Sequence, residues 1–429
     1  MLERLRQARR SARERGELVR FVDECRQLLT ERGEANSLAL AASALQHYDG
    51  LSPDVRERFF DLLASEFDPD PGDVLRLAED YAATRSPDVL IRLTRAAESP
   101  RQELFRRLNR APDGTRTIVQ MRAQLLEKLR AHPEYRAVDA DMQHLLSSWF
   151  NPGFLQLRQV DWRSPALLLE KIIQHEAVHA IDGWSDLRRR LQPDRRLFAF
   201  FHPMLPDEPL IFVEVALCAE MPSAIAALLD RSTEPLEPSR FRVATFYSIS
   251  NCQPGLRGIN LGNFLIKRVA EHLQAELPSV RTFCTLSPVP SFAAWLAKVD
   301  QLESPWAKPA TLTALNAGLA ARRERPADPA RTAADDADAK LLQRLCAFHL
   351  THTDAADARP SDPVARFHLA NGARLERINC AADLSRKGLR DSHGLMVNYL
   401  YDLDEIERNH QKFVSGEVSA SRSVLSLLG

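Results

Sequence analysis

The sequence predicts an α+β protein, with an all-helical bundle over residues 1–148 followed by a mixed-sheet α/β region over 149–429. Three observations carry this. The first third of the chain repeats apolar stripes at helical spacing and shows no strand-like alternation. The breakers Asn151, Pro152 and Gly153 then interrupt the chain after a final helical run. Beyond them, runs rich in β-branched and aromatic residues appear mainly one after another, with helices between.

The elements follow in order. "MLERLRQARRSARERGEL" is rich in arginine but also carries Glu3, Glu14 and Glu17, so it reads as a solvated amphipathic helix and not as a transit peptide. In "PDVRERFFDLLASEF", Val55, Phe59, Leu62 and Leu63 recur at helical spacing, with Ser52 as cap and Pro53 at the first helical position. "PGDVLRLAEDYAAT", "SPDVLIRLTRAAES", "SPRQELFRRLNRA" and "TIVQMRAQLLEKLRAH" repeat the style, and a bundle is their natural packing. After residue 151, "RRLFAFFHP", "PLIFVEVAL", "FRVATFYSIS" and "VRTFCTL" predict strands. "NFLIKRVAEHLQAEL" predicts a long helix ended by Pro278. "ARFHLANGARLERIN" predicts a hairpin turning at Asn371-Gly372, which puts His368 on a strand. "RRERPADPARTAADDADAK" predicts a mobile polar excursion.

Composition narrows the function. The formal net charge of −1 gives no bulk electrostatic case for nucleic acid or an anionic membrane. No stretch reaches the length and apolarity of a transmembrane helix. The six cysteines, Cys25, Cys218, Cys252, Cys284, Cys346 and Cys380, form no C-x-x-C pair, so reduced thiols in a cytoplasmic compartment are expected.

Five features bear on chemistry. His175, Glu176 and His179 form H-E-x-x-H, the pattern of a zinc peptidase helix. The longer form of that motif needs glycine and histidine where Asp182 and Ser185 stand, and the helical pattern fails near Ala177, so two ordinary histidines at a helix end are expected. The turn Arg257, Gly258, Ile259, Asn260, Leu261, Gly262, Asn263 lies between a strand and a helix, where backbone N–H groups meet phosphates; a plain tight turn is the other reading. Ser287 stands at a strand exit between Leu286 and Pro288, as a ligand contact or an ordinary turn serine. His368 sits just before the Asn371-Gly372 turn, as a proton carrier or a structural histidine. Tyr399 and Tyr401 alternate and so share a face, where core packing and a buried polar role both remain open.

Together "LSSWFNPGFL", "FYSISNCQPGLRGINLGNFLIKRV", "LSPVPSF", "DPVARFHLANGARLERIN" and "GLMVNYLYDL" resemble the malonyl-CoA decarboxylase family. The resemblance implies a helical oligomerisation domain and a GNAT-like catalytic domain in which coenzyme A inserts between two splayed strands. It implies that Ser287 and His368 are catalytic, that Ser248, Asn260 and Tyr401 contact substrate, and that residues 257–263 cradle the pyrophosphate. Asn260 departs from the glutamate of the animal enzymes. The family pattern at 176–180 is "EAVHP", so His175 alone completes the metallopeptidase motif. Conversion of malonyl-CoA to acetyl-CoA and CO2 is therefore expected. It should need no metal and no cofactor beyond the coenzyme A of the substrate, in a cytoplasmic homotetramer without nucleic-acid or membrane partners. A GNAT-type acyl-CoA transferase, a zinc metallopeptidase and a non-enzymatic coenzyme A binder are the rival expectations.

Overall fold

The computed structural model describes residues 2–259, 261, 265–305, 307–324, 336–352 and 360–429, with the side chains of 2–11 and 336 excepted. The chain divides into two compact units. One comprises residues 1–156, 201–210 and 252–261; the other comprises 157–200, 211–251 and 262–429.

The first unit is helical. Its helices include Leu2–Thr30, Glu34–Gly50, Pro53–Ser65, Pro71–Thr84, Pro87–Ala97, Pro100–Leu108, Gly114–Lys128 and Arg136–Trp149. Four of them start with proline at the first helical position, where the missing N–H is no loss and φ is already helical. Asp70 accepts from the N–H of Asp73 at its helix start, whereas the hydroxyl of Ser52 makes no cap bond despite its position. Phe21 packs edge-on to Phe59 at 4.7 Å, with Tyr48 beside both, and all three rings are buried. Val55, Phe59 and Leu63 face this core, while Leu62 is only half-buried.

The second unit is built on an eight-stranded mixed sheet among the described residues. Its strands are β1 Gln156–Val160, β2 Arg195–Phe201, β3 Ile211–Cys218, β4 Val243–Asn251, β5 Thr282–Thr285, β6 Ser287–Pro288, β7 Arg374–Asn379 and β8 Met396–Leu400. The order is β1-β2-β3-β4-β5-β8-β6, with β7 paired to β8. β4 and β5 run parallel, linked through the helix Leu265–Glu276, because a parallel neighbour needs a crossover. β3 and the inner part of β4 are buried almost throughout, which suits their near-continuous apolar runs.

Two irregularities shape the sheet. Val215 opposes Phe246 and Glu214 opposes Ser248, so Tyr247 is an extra residue that bulges β4. β4 and β5 also part company. Their pairing ends at Phe246 opposite Thr285, after which β4 runs on against β3 while the other chain turns to pair Ser287 and Pro288 with β8. Where parallel strands separate, backbone N–H and C=O groups lose the partners they would have across the gap.

The structure corrects one sequence expectation. "ARFHLANG" is not the first arm of a hairpin; residues Pro363–Ala370 form a helix, and His368 lies on it. Asp362 caps its N-terminus, Pro363 takes the first position, and Ala365, His368 and Leu369 form the buried face. That i, i+3, i+4 spacing is helical, and the start signal of Asp-Pro outweighs the β-branched and aromatic content. Asn371-Gly372 is instead the exit turn. Gly372 has φ +80°, and a Cβ there would lie 2.2 Å from the carbonyl oxygen of Ile406. The polar excursion expected over 322–340 is helical at both flanks, to Arg323 and from Asp336; its centre, 325–335, lies outside the described residues.

Candidate active site

Ser287, His368 and Tyr401 meet inside the second unit, although the sequence separates them widely. Each arrives on a different element. Ser287 opens the short strand β6 where β5 has left β4. His368 comes from the last turn of the helix Pro363–Ala370. Tyr401 follows β8, with its ring 6.2 Å from that of Phe246, the last residue of β4 to pair with β5. The cluster therefore sits where the two parallel strands separate.

A chain of hydrogen bonds joins them. Ser287 Oγ lies 2.9 Å from His368 Nε2 and donates to Thr285 Oγ1 at 2.9 Å. His368 Nδ1 lies 2.8 Å from the hydroxyl of Tyr401. Thr285 Oγ1 also accepts from the backbone N–H of Tyr399 at 3.1 Å. With the serine proton given to Thr285, Ser287 is left to accept from Nε2–H, and Nδ1 accepts from Tyr401. This order places the imidazole proton on Nε2.

The electrostatics are set by burial. Ser287, His368 and Tyr401 are all buried, with 6%, 3% and 1% of their surface exposed. Burial alone pushes the His368 pKa down to about 3 and the Tyr401 phenol well up, with no charged neighbour offsetting either effect. Tyr399 stacks on the imidazole with ring centroids 4.6 Å apart. A serine nucleophile of the hydrolase type needs a carboxylate on the far imidazole nitrogen to stabilise the imidazolium. Here a neutral phenol occupies that place, so the arrangement favours donating and orienting over nucleophilic attack.

The neutral histidines predict an acid weakness. Burial lowers His349 to about 4 as well as His368 to about 3. Above the unfolded value near 6.5 both states are uncharged; below it the unfolded chain gains protons that the folded chain refuses. Stability should thus fall as pH drops from about 6.5 toward 4, by up to ~1.4 kcal/mol per pH unit for each ring. Urea midpoints measured between pH 7 and 4.5 check this, and a profile without slope in the wild type, or one left unaltered by His349→Gln, contradicts it.

Ser248, expected at the substrate, is buried and hydrogen-bonds Glu176. Its hydroxyl donates to the Glu176 carboxylate at 2.7 Å, and Ser250 does so at 3.2 Å. Glu176 also accepts the N–H groups of Val178 and His179. That explains the H-E-x-x-H segment. The helix Ala166–His175 ends before Glu176, so His175 and His179 do not share a helical face, and the glutamate serves as a hub for a loop and β4.

The turn expected to cradle phosphate belongs to the first unit up to Leu261. Arg257, Gly258, Ile259 and Leu261 are described there; Asn260, Gly262 and Asn263 lie outside the described residues. Arg122, 2% exposed and paired with Asp139 at 2.8 Å, holds the carbonyls of Gly255 and Arg257 at 2.7 and 2.9 Å. Gln143 donates to the carbonyl of Gly258 at 3.1 Å. Carbonyls pinned this way fix the direction of the peptide planes in the turn. A Cβ on Gly255 would lie 1.9 Å from the carbonyl oxygen of Val119, so only glycine fits.

Sequence reasoning missed Thr285, Glu176 and Asp362. The first two carry faint signals: Thr285 and Ser287 alternate at a strand end, and Glu176 hides in the metallopeptidase pattern. Asp362 was signalled by Asp-Pro ahead of a helical stripe.

Comparison with known proteins adds the context. A model described as the malonyl-CoA decarboxylase C-terminal domain matches residues 153–429, and its N-terminal counterpart matches 67–150. The mitochondrial malonyl-CoA decarboxylase of Rattus norvegicus is 35% identical over 441 residues, covering 93% of this chain and 87% of the rat protein. The crystal structure of malonyl-CoA decarboxylase from Rhodopseudomonas palustris is 48% identical with a TM-score of 0.85, covering 95% of this chain and 99% of that one. That from Cupriavidus metallidurans is 38% identical with a TM-score of 0.76, covering 96% and 99%.

Proposed function

The chain belongs to the malonyl-CoA decarboxylase family, and from that premise we propose how its residues carry the reaction. The chemistry is a carboxy-lyase reaction: malonyl-CoA becomes acetyl-CoA and CO2. The C–C bond to the carboxylate breaks, its electron pair moves into the thioester as an enolate, and a proton then joins the α-carbon. One proton is consumed per turnover.

The observation that supports the residue assignment is the buried hydrogen-bonded chain Tyr401–His368–Ser287–Thr285. Ser287 hydrogen-bonds the malonyl group and holds the scissile bond in line with the carbonyl π system. His368 gives its Nε2 proton to the enolate carbon. Tyr401 supports Nδ1 in either charge state, because a hydroxyl both donates and accepts. Burial keeps His368 neutral in the free protein, but a substrate carboxylate beside it favours the imidazolium. Substrate thus brings the counter-charge that loads the acid; CO2 leaves neutral, the charge passes to the enolate, and the enolate carbon takes the proton. The low polarity of the pocket strengthens this coupling.

The remaining expectations complete the proposal. Residues 257–263 cradle the coenzyme A pyrophosphate, and Ser248, Asn260 and Tyr401 contact the substrate. Residues 1–148 serve oligomerisation and 149–429 catalysis, in a cytoplasmic homotetramer. Among the described residues no helix is long and apolar enough to cross a membrane.

The test is formation of CO2 and acetyl-CoA from malonyl-CoA with no acceptor present. Turnover is expected to be indifferent to a chelator and to consume one proton per CO2 in weakly buffered solution. A requirement for an acyl acceptor supports the transferase instead, and loss of activity on chelation restored by zinc supports metal chemistry.

A further inference from the structure

We propose that Asp362 is a positioning residue that sets the contact between Ser287 and His368. Its carboxylate reaches both segments that bear them. Oδ1 accepts the N–H groups of Val364 and Ala365, each at 2.9 Å, at the start of the helix that ends with His368. Oδ2 accepts the N–H of Ser291 at 3.1 Å and its hydroxyl at 2.7 Å. Ser291 lies just beyond Ser287 in "SPVPS". Asp362 is fully buried, so water does not compete for these bonds.

Both connections are stiff. Pro288 and Pro290 lie between Ser287 and Ser291, and each holds φ near about −65°. From Asp362 to His368 the link is a helix, whose backbone bonds allow little play. A displacement at Asp362 therefore moves one reacting group relative to the other. The 2.9 Å contact between Ser287 Oγ and His368 Nε2 spans the far side of this brace.

Asp362, Ser291 and His349 also form a serine–histidine–aspartate group, since His349 Nε2 lies 2.9 Å from Ser291 Oγ. It is not wired as a nucleophile. The carboxylate takes the serine proton and the serine main chain, and so fastens a segment instead of activating a hydroxyl.

The inference rests on Ser287 and His368 being the reacting pair. A shift of about 1 Å in such a pair costs on the order of 100-fold in rate. Asp362→Ala in the full chain is therefore expected to lower kcat about 100-fold while KM for malonyl-CoA changes less than about threefold. Ser291→Ala, which frees one end of the brace and leaves the helix cap, is expected to lower kcat about tenfold with KM likewise held. Asp362→Asn, which retains an acceptor oxygen, should recover part of the loss. Asp70→Ala removes a cap in the first unit and controls for lost stability; its kcat should be that of the wild type at matched folded fraction. The idea is overturned if Asp362→Ala and Ser291→Ala keep kcat within threefold while Ser287→Ala and His368→Gln abolish it. It is equally overturned if the loss in Asp362→Ala equals the unfolded fraction. Retained activity in Ser287→Ala and His368→Gln would instead remove the reacting pair itself.

Discussion

His368→Gln is expected to lower kcat for malonyl-CoA by about 10²–10⁴, the range for losing a positioned proton donor. Glutamine is close to histidine in size and offers both a donor and an acceptor to Ser287 and Tyr401, so the packing under Tyr399 should survive. The loss should fall mainly on kcat, because the proton is transferred only after the substrate is bound. A second readout addresses the mechanism. The free protein holds His368 neutral at pH 7, with its pKa near about 3. Binding of an inert carboxylate-bearing malonyl-CoA analogue is expected to draw about one proton from solution, because the ligand charge favours the imidazolium. Titration calorimetry in buffers of different ionisation enthalpy measures that uptake, and His368→Gln should abolish it. Near-normal turnover in His368→Gln removes the histidine from the reaction. Binding without proton uptake in the wild type removes the loading of the acid by substrate.

Ser287→Ala carries the next largest effect, a loss of about 10²–10³ in kcat, as for other single donors aimed at developing charge. The substitution deletes one hydroxyl and leaves Thr285 bonded to the Tyr399 N–H, so the strand pairing should hold. The chemistry separates two uses of the serine. As an orienting donor it forms no covalent intermediate, and wild-type protein quenched during turnover should carry no acyl mass on Ser287. An acetyl or malonyl adduct there would favour the transferase. The neutral phenol on Nδ1, where a nucleophilic serine site holds a carboxylate, is the structural reason to expect no adduct.

Much of this was visible in the chain. The proline-started helices of the first unit were readable from local rules, because a fixed φ and a missing donor act within a few residues of their position. The strands β2 to β5 were readable because buried parallel and central strands need long apolar, β-branched runs. The segment around His368 misled for an equally local reason. Phe367 and Leu369 flank the histidine as on a strand, while the decisive signal, Asp362-Pro363, stands upstream of the apolar residues. Glu176 was read more securely: it belongs to a recognisable motif, yet the failing helical pattern near Ala177 signals that the helix giving the motif its meaning stops, and it stops at His175.

The residue types of the site, and their order along the chain, were fixed by sequence: a serine after a strand, a histidine ahead of an Asn-Gly turn, a tyrosine after the last strand. Their relation was not. That Ser287 and His368 lie 2.9 Å apart, that Tyr401 takes the far nitrogen, and that burial holds the imidazole neutral depends on strands and a helix brought together across the fold. Local preferences act through torsions and neighbours a few residues away. Burial, desolvation and the convergence of side chains are properties of packing, and only the folded chain sets them.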